Sequence, residues 1–513
     1  MTISRRDFIK TSGMFAAFAA LSACTPQSPT SQTVTGHSSG TGSIGVVPPA
    51  IMSSATAPSL TADDPLTALS LSRISFGATP EMYNRVSQIG LSAFIDEQLN
   101  PERINDDATD QLLTRFPTLT MTPIQRFQLP QFGQPVQELV ASTILRQWHS
   151  QRQLNEVMVD FWSNHFNIYI AKSLCRVLKT DDDLKVIRPN AFAKFSDILN
   201  ASAHSPAMLT YLDNAESRKE APNENYAREL MELHTISVNG GYTQQDITEV
   251  ARAFTGWTIT GPKSLLAPFG NYIFANRIHD SGSKQVLNLA IPAGGGEDDG
   301  TKVLDMLAHH PMTAQFISTK LARRFVSDNP DPSFVSALAN VFTQSDGDTN
   351  AVLKAIFQSD SFKNSAGQKL KRPLEFLAST LRLTGATLTG QSQQLVQHVK
   401  LLGQIPFDWQ FPNGFPDSAG FWATTSGLLE RWNFGNLLTS NKINGVRVDV
   451  KSLTADAQSA QDVVDILSQR FLGSKLPDDA RSILLDFASS GDLGSKLASI
   501  SGLILGSPHF QVR

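Results

Sequence analysis

The segment Asn223-Glu224-Asn225-Tyr226-Ala227-Arg228-Glu229-Leu230-Met231-Glu232-Leu233-His234-Thr235 packs carboxylates, a guanidinium and an imidazole into one short stretch. Read as a helix at about 100° per residue, it places Tyr226, Leu230 and Leu233 on one apolar stripe, with Glu229 on one side and His234 on the other. A carboxylate and an imidazole beside a buried stripe need partners. His165, at the end of Asp160-Phe161-Trp162-Ser163-Asn164-His165-Phe166, is the nearest candidate, because helical extension turns it inward with Leu154, Met158 and Phe161. Glu229 or His234 could transfer a proton, and His165, Glu229 and His234 together could hold a metal ion. The competing reading makes each histidine a hydrogen-bonded core residue.

A second cluster is Arg277-Ile278-His279-Asp280-Ser281-Gly282-Ser283-Lys284. His279 beside Asp280 can position a proton donor, and Lys284, like Arg228, can anchor an anion; the alternative is a polar turn. Residues 405–422 mix Pro, Gly, Phe and Trp, and Trp409 and Trp422 are the candidate substrate wall. Glu224, Arg228 and Glu232 fall on a separate face as a surface ladder. The paired Glu-x-x-His signature of di-iron bundles and His-Glu-x-x-His are both absent, so a metal has only this loose donor set behind it. No nucleophile elbow, phosphate loop or dinucleotide fingerprint occurs in the required context, and no cofactor is specified.

The elements that must position these groups read as mainly α: a multi-helix globular domain with a small β-hairpin or β-sheet insertion near 256–290. One long helix or two joined ones span 135–166. Helices follow after Pro222 and after Thr243, where Thr243 and Asp246 form a relative of the capping box over a face of Ile247, Val250, Ala251 and Phe254. Further amphipathic segments lie near 301–325, 332–342, 351–357, 373–383, 427–438, 460–472, 477–487 and 493–505. The stretch 285–289 reads as one strand.

The chain has 513 residues, net charge -4 and 2 cysteines. The charge gives no reason to expect nucleic acid as a partner. With Cys24 committed elsewhere, Cys175 has no disulfide partner and reads as a small buried apolar residue. Ser4-Arg5-Arg6-Asp7-Phe8-Ile9-Lys10, a short apolar run and Leu21-Ser22-Ala23-Cys24 form a twin-arginine signal with a lipid-attachment box. Residues 1–24 are thus expected to be a lipoprotein signal peptide, with Arg5 and Arg6 read by the twin-arginine export machinery and Cys24 lipidated. The apolar run is too short to span a bilayer. Residues 25–61 read as a flexible Ser/Thr/Pro/Gly tether and 62–513 as the helical domain, with a C-terminal helical subdomain from about 365. The expected setting is the cell envelope, anchored to a membrane by lipid; Thr25 rather than Asp after the cysteine favours the outer membrane.

At several of these motifs the chain resembles a large bacterial family known as domain of unknown function 1800. The matching segments are residues 161–166, 223–235, Gly240-Gly241-Tyr242-Thr243-Gln244-Gln245-Asp246-Ile247, Ala251-Arg252-Ala253-Phe254-Thr255-Gly256-Trp257, 279–284 and Lys371-Arg372-Pro373-Leu374-Glu375-Phe376, in the family's order. Ser163 departs from the pattern, since many relatives carry a second histidine there. The resemblance implies a mainly helical, exported protein, with an exported sulfatase-like protein as a partner, and brings no established reaction. Two functions stay open: a lipid-anchored binding or accessory protein for an envelope partner or glycan, and an exported hydrolase acting on an extracellular polymer or ester through the carboxylate/histidine set.

Overall fold

The computed structural model describes residues 64–513 apart from Leu266, Gln391 and Ser392. Arg5, Arg6, Cys24 and the stretch 25–61 lie outside the described residues. No helix among the described residues is long and apolar enough to cross a membrane.

The architecture is mainly α, and side-chain chemistry decides where the helices begin and end. α1 (Pro65–Ile74) starts at Asp64, whose carboxylate accepts from the amides of Leu66 and Thr67. The apolar period over 135–166 is realised as two helices, α2 (Gln134–His149) and α3 (Gln153–His165). Asp106 holds the break between them, accepting from Ser150 Oγ at 2.7 Å and the Gln151 amide at 2.9 Å. The helix after Pro222 is α4 (Glu224–Glu229), capped by Asn223 and continued by a wide π turn over Leu230–His234. Thr235 Oγ1 closes that turn on the Leu230 carbonyl at 2.6 Å. α5 (Gln244–Ala253) carries the expected capping box and buries Ile247, Val250 and Ala251.

The insertion near 256–290 is two separate antiparallel pairs: β1 (Trp257–Ile259) with β2 (Tyr272–Phe274), and β3 (Lys284–Val286) with β4 (Leu289–Ile291). The single strand expected over 285–289 instead turns back at Leu287 and Asn288. Leu287 takes φ +49°, and its amide donates to Asp246 Oδ1 at 2.7 Å. A distant carboxylate thus stabilises a turn that a run of β-forming residues does not announce. The segment expected over 301–325 also divides, into α6 (Asp298–Ala308) and α7 (Pro311–Phe325), because Pro311 opens a new helix.

The remaining helices used below are α8 (Pro373–Leu383), α9 (Thr425–Thr439), α10 (Ala460–Leu472) and α11 (Leu493–Gly506). A small pair far from the first insertion, β5 (Thr387–Leu388) with β6 (Val446–Arg447), was not foreshadowed by the alternation of the sequence. α9 and α11 approach closely because Gly506 has no side chain: a Cβ there would stand 1.9 Å from the Trp432 ring.

Buried apolar side chains form two clusters. The first gathers α1, α3 and α5–α7. The second gathers α8–α11 but also takes Leu139, Ile144 and Trp148 from α2, so the second core is not confined to the chain after 365. Cys175 is fully buried in the first, where burial pushes its thiol up to about 12.

An ion network crosses between the clusters. Glu375 on α8 accepts from Arg324 of α7 and from Arg372 at 3.3 Å and forms an ion pair with Arg513 at 3.1 Å, while Arg372 also pairs with Asp160 of α3. Burial alone would push the Glu375 carboxyl up, but the Arg324, Arg513 and Arg372 guanidiniums hold it well below 4.5. Glu375→Gln should therefore cost ~3–5 kcal/mol in urea unfolding at pH 7, because it leaves buried guanidiniums without their counter-charge. A carboxylate with a lowered folded-state pKa stabilises above its unfolded value and loses that contribution as pH falls. The deficit of the variant should accordingly shrink below pH 4.5; a pH-independent deficit would contradict the assignment.

Candidate functional site

His165 is 1 % exposed and boxed by rings, with centroids of Phe166 at 4.5 Å, Trp162 at 5.5 Å and Phe316 at 6.2 Å. Its Nε2 lies 3.1 Å from the His234 carbonyl oxygen, so this nitrogen must carry the proton and donate. Nδ1 then accepts from Lys320 Nζ on α7 at 2.8 Å. Burial, then Lys320 and His234, drive the imidazole well below 6.5, and Lys320 itself is pushed by burial down to about 7. His234 is equally buried, its ring centroid 5.9 Å from that of His165. Burial and then Lys320 lower it to about 3, and its Nε2 is buried without a partner. Both rings are neutral at pH 7.

Glu229 does not join them. It is half-buried, held above 4.5 by burial and then by Glu232, and accepts no hydrogen bond among the described residues. The buried face of this segment is turned toward Ala227 and Met231, leaving Leu233 half-buried and Glu229 at the edge. Arg228 is committed to the surface ladder, 3.3 Å from Glu224 and 3.4 Å from Glu232. No group of three or more metal-ligating side chains assembles among the described residues, so His165, Glu229 and His234 are not brought together as a metal set.

The 279–284 cluster closes on itself. His279 is fully buried, with Nδ1 donating to the Thr255 carbonyl at 2.8 Å and Nε2 3.3 Å from Asp299 Oδ2. Lys284 Nζ donates to Asp299 at 2.6 Å and to the carbonyls of Asp280 and Gly282, which uses all its protons. Asp280 pairs with Arg252 at 2.8 Å. The polar-turn reading therefore describes Lys284, and no donor is left there for an anion. Cavities of about 620 Å³ and about 30 Å³ exist, and neither is lined by His165, Glu229, His234 or His279.

The aromatic loop is held differently, from α3 and its continuation. The Asn164 side-chain amide donates to the Phe415 carbonyl at 2.9 Å and accepts from the Phe415 amide at 2.7 Å. Asn167 donates to the carbonyls of Trp409 and Phe411, and the Tyr211 hydroxyl to that of Gln410 at 2.8 Å. Gly414 sits at φ +72°, where a Cβ would stand 2.2 Å from the Asn164 carbonyl oxygen. With its backbone so pinned, the loop turns side chains outward: Phe411 is 61 % and Phe421 44 % exposed, around a half-buried Trp409. Trp409 meets Phe415 at 5.0 Å and Phe421 at 5.9 Å between centroids. Trp422 is buried, its indole N–H on the Pro416 carbonyl, so it supports the platform from beneath.

The family described as Protein of unknown function (DUF1800) matches residues 70–512. The chain belongs to the DUF1800 family. No curated protein and no solved structure matches the chain. The motifs of this DUF1800 member therefore take their meaning from the geometry. Asn164 pins a loop, Arg252 and Thr255 fasten the 279–284 turn, and Arg372 with Glu375 forms the ion network. Lys320 and Asn167 went unnoticed in the sequence; both sit outside any motif, and only Asn167, three residues past the motif's Asn164, offered a local hint.

Two outcomes test this account. A histidine whose folded-state pKa is depressed favours the folded state fully above its unfolded value of 6.5, and that advantage is lost as pH falls toward about 3. Each such ring should remove on the order of 2 kcal/mol between about pH 6.5 and 5, and His234→Leu should flatten the acid side of a urea-stability profile relative to wild type. Asn164→Ala, by leaving the half-buried Phe415 backbone unpaired, should speed chymotryptic cutting within residues 405–422 at least ~10-fold while the remaining domain stays intact. An unchanged cutting rate would show that the loop is held by other means.

Proposed function

We propose that this chain is an exported, lipid-anchored cell-envelope protein that binds an envelope glycan through the aromatic platform of residues 405–422. The observation that carries the reading is the pairing of outward rings with a backbone fixed from within: Phe411 and Phe421 are exposed although three buried or half-buried polar side chains, Asn164, Asn167 and Tyr211, hold the loop rigid. Large exposed aromatics on a pre-organised loop mark a contact surface rather than a core. Asp408, Gln410 and Asn413 are exposed among the rings. Sugar rings present apolar C–H faces and hydroxyl edges, and this alternation of aromatic faces with amide and carboxylate groups suits both.

A binding role is also what the ionisable groups support. His165, His234, His279 and Lys284 are buried, and the side-chain hydrogen bonds of His165, His279 and Lys284 run within the fold. The hydrolase alternative needs a cavity beside them, and neither cavity described above reaches them. The envelope setting rests on Arg5, Arg6 and Cys24.

Phe411→Ser combined with Phe421→Ser should lower retention on immobilised cell-wall glycan by about tenfold or more, since truncating exposed aromatic anchors commonly costs ~2 kcal/mol, without lowering the thermal midpoint. Equal retention would reject the platform as the contact, and capture of an exported sulfatase-like protein in place of glycan would transfer the surface to a protein partner. In cells, Cys24→Ala should abolish incorporation of labelled fatty acid, and Arg5→Lys with Arg6→Lys should leave the precursor in the cytoplasm. Labelled Cys24→Ala protein, or normal export of the double variant, would remove the envelope from the proposal.

A further inference from the structure

A second surface of interest is a cavity between α1, α8, α10 and the segment ending at Arg513, bordered by Glu375 of the ion network and by none of the histidines or loop aromatics described above. Its volume of about 620 Å³ is that of a site for a small molecule. Phe76, Leu383, Phe471 and Phe510 supply apolar wall, and Lys371 and Arg513 supply cationic groups.

Lys371 is 8 % exposed. Its Nζ stands 3.5 Å from the centroid of the Phe510 ring and makes no hydrogen bond or ion pair among the described residues. A buried ammonium normally has an anionic partner. The local supply of negative charge is already spent. Glu375, which also borders the cavity, is shared by Arg324, Arg372 and Arg513. Asp160 serves Arg372, and Asp328 and Asp417 serve Lys369. Donors are left over even so: Arg324 Nε and Nη2, Arg372 Nε and Arg513 Nε are buried without partners. Burial, and then the field of Arg513 and Arg431, pushes the Lys371 ammonium down to about 7, as expected where cations outnumber anions.

We propose that this cavity binds a small amphipathic monoanion, a carboxylate borne on an apolar body, with the carboxylate on Lys371 and the body against Phe76, Leu383 and Phe471. The ligand would complete the charge balance that Glu375 leaves unfinished. A monoanion is favoured over a phosphate dianion because Glu375 borders the same space and opposes a second negative charge. The apolar wall in turn discriminates against a bare anion. This site is independent of the aromatic loop, and glycan binding can fail without touching it.

Octanoate, octanol and inorganic phosphate serve as probes for calorimetric titration and thermal-shift measurement of the purified protein. Octanoate should bind saturably and raise the thermal midpoint. Octanol, with the same body and no charge, should bind at least about tenfold more weakly, as loss of a charge-assisted hydrogen bond predicts. Lys371→Met should weaken octanoate by a similar factor while keeping its own midpoint, because it replaces an unpaired cation with an apolar side chain of similar length. Octanol as tight as octanoate, octanoate binding unchanged in Lys371→Met, or no saturable octanoate binding by wild type would overturn the proposal. Phosphate displacing octanoate at equal concentration would overturn the amphipathic assignment. Should Lys371→Met fail to fold, the octanoate and octanol midpoints of the wild type decide alone.

Discussion

One buried carboxylate, Glu375, holds three guanidiniums from different parts of the chain, and the two apolar clusters meet around it. Removing charges from water carries a penalty of several kcal/mol per ion, so such a network persists only where the surrounding helices leave its members no alternative. Here α7, α8 and the segment ending at Arg513 each bring a charge, and α3 adds Asp160 against Arg372. Arg73 of α1 lies alongside and donates to the backbone carbonyls of Phe325, Val326, Ser365 and Arg513. An apolar interface would tolerate sliding between helices, whereas hydrogen-bonded guanidiniums accept few geometries.

The orientation of α3 follows from that constraint, and α3 in turn sets the rest. Its apolar face enters the first core with His165 inside an aromatic box, while Asn164 reaches the opposite way to the aromatic loop. One helix end therefore couples the core to the exposed surface. The polar clusters that resembled chemistry, around His234 and His279, serve the same structural end: Lys320 joins α7 to α3, and Asp299 joins α6 to the turn before β3. His165 is neutral and buried, and Glu229 stands apart from it, half-buried at the edge of its helix.

Local signals in the sequence were legible wherever they were self-contained. The Thr243 and Asp246 box, the Pro373 start of α8 and the bounds of α10 appear in the structure as the residues announced them, because capping involves only neighbours along the chain. The run over 301–325 divided at a local signal, Pro311, whereas other departures depended on a remote group. Asp246 folds back the run over 285–289, and Asp106 decides between the one long helix and the two joined ones that the run over 135–166 left open. His165 was correctly turned inward by its period, yet its partner Lys320 lies 155 residues further on, with no pattern to link them. Of the expected stripe, Tyr226 and Leu230 are buried while Leu233 is only half-buried, Ala227 and Met231 completing the buried face and Glu229 lying at its edge.

By itself the sequence determined the family, the mainly helical class and most helix starts, since periodicity and capping act over a turn or two of backbone and are written in consecutive residues. It also marked which side chains were chemically capable. Tertiary structure alone decided the surroundings of each: it buried His165 and Lys284 against partners and His234 with an unpartnered Nε2, left Phe411 and Phe421 outside, and stranded Lys371 beside a cavity. The physical reason is desolvation. Whether a charge is paired or orphaned depends on what the fold brings to it from far along the chain, and no local pattern encodes that.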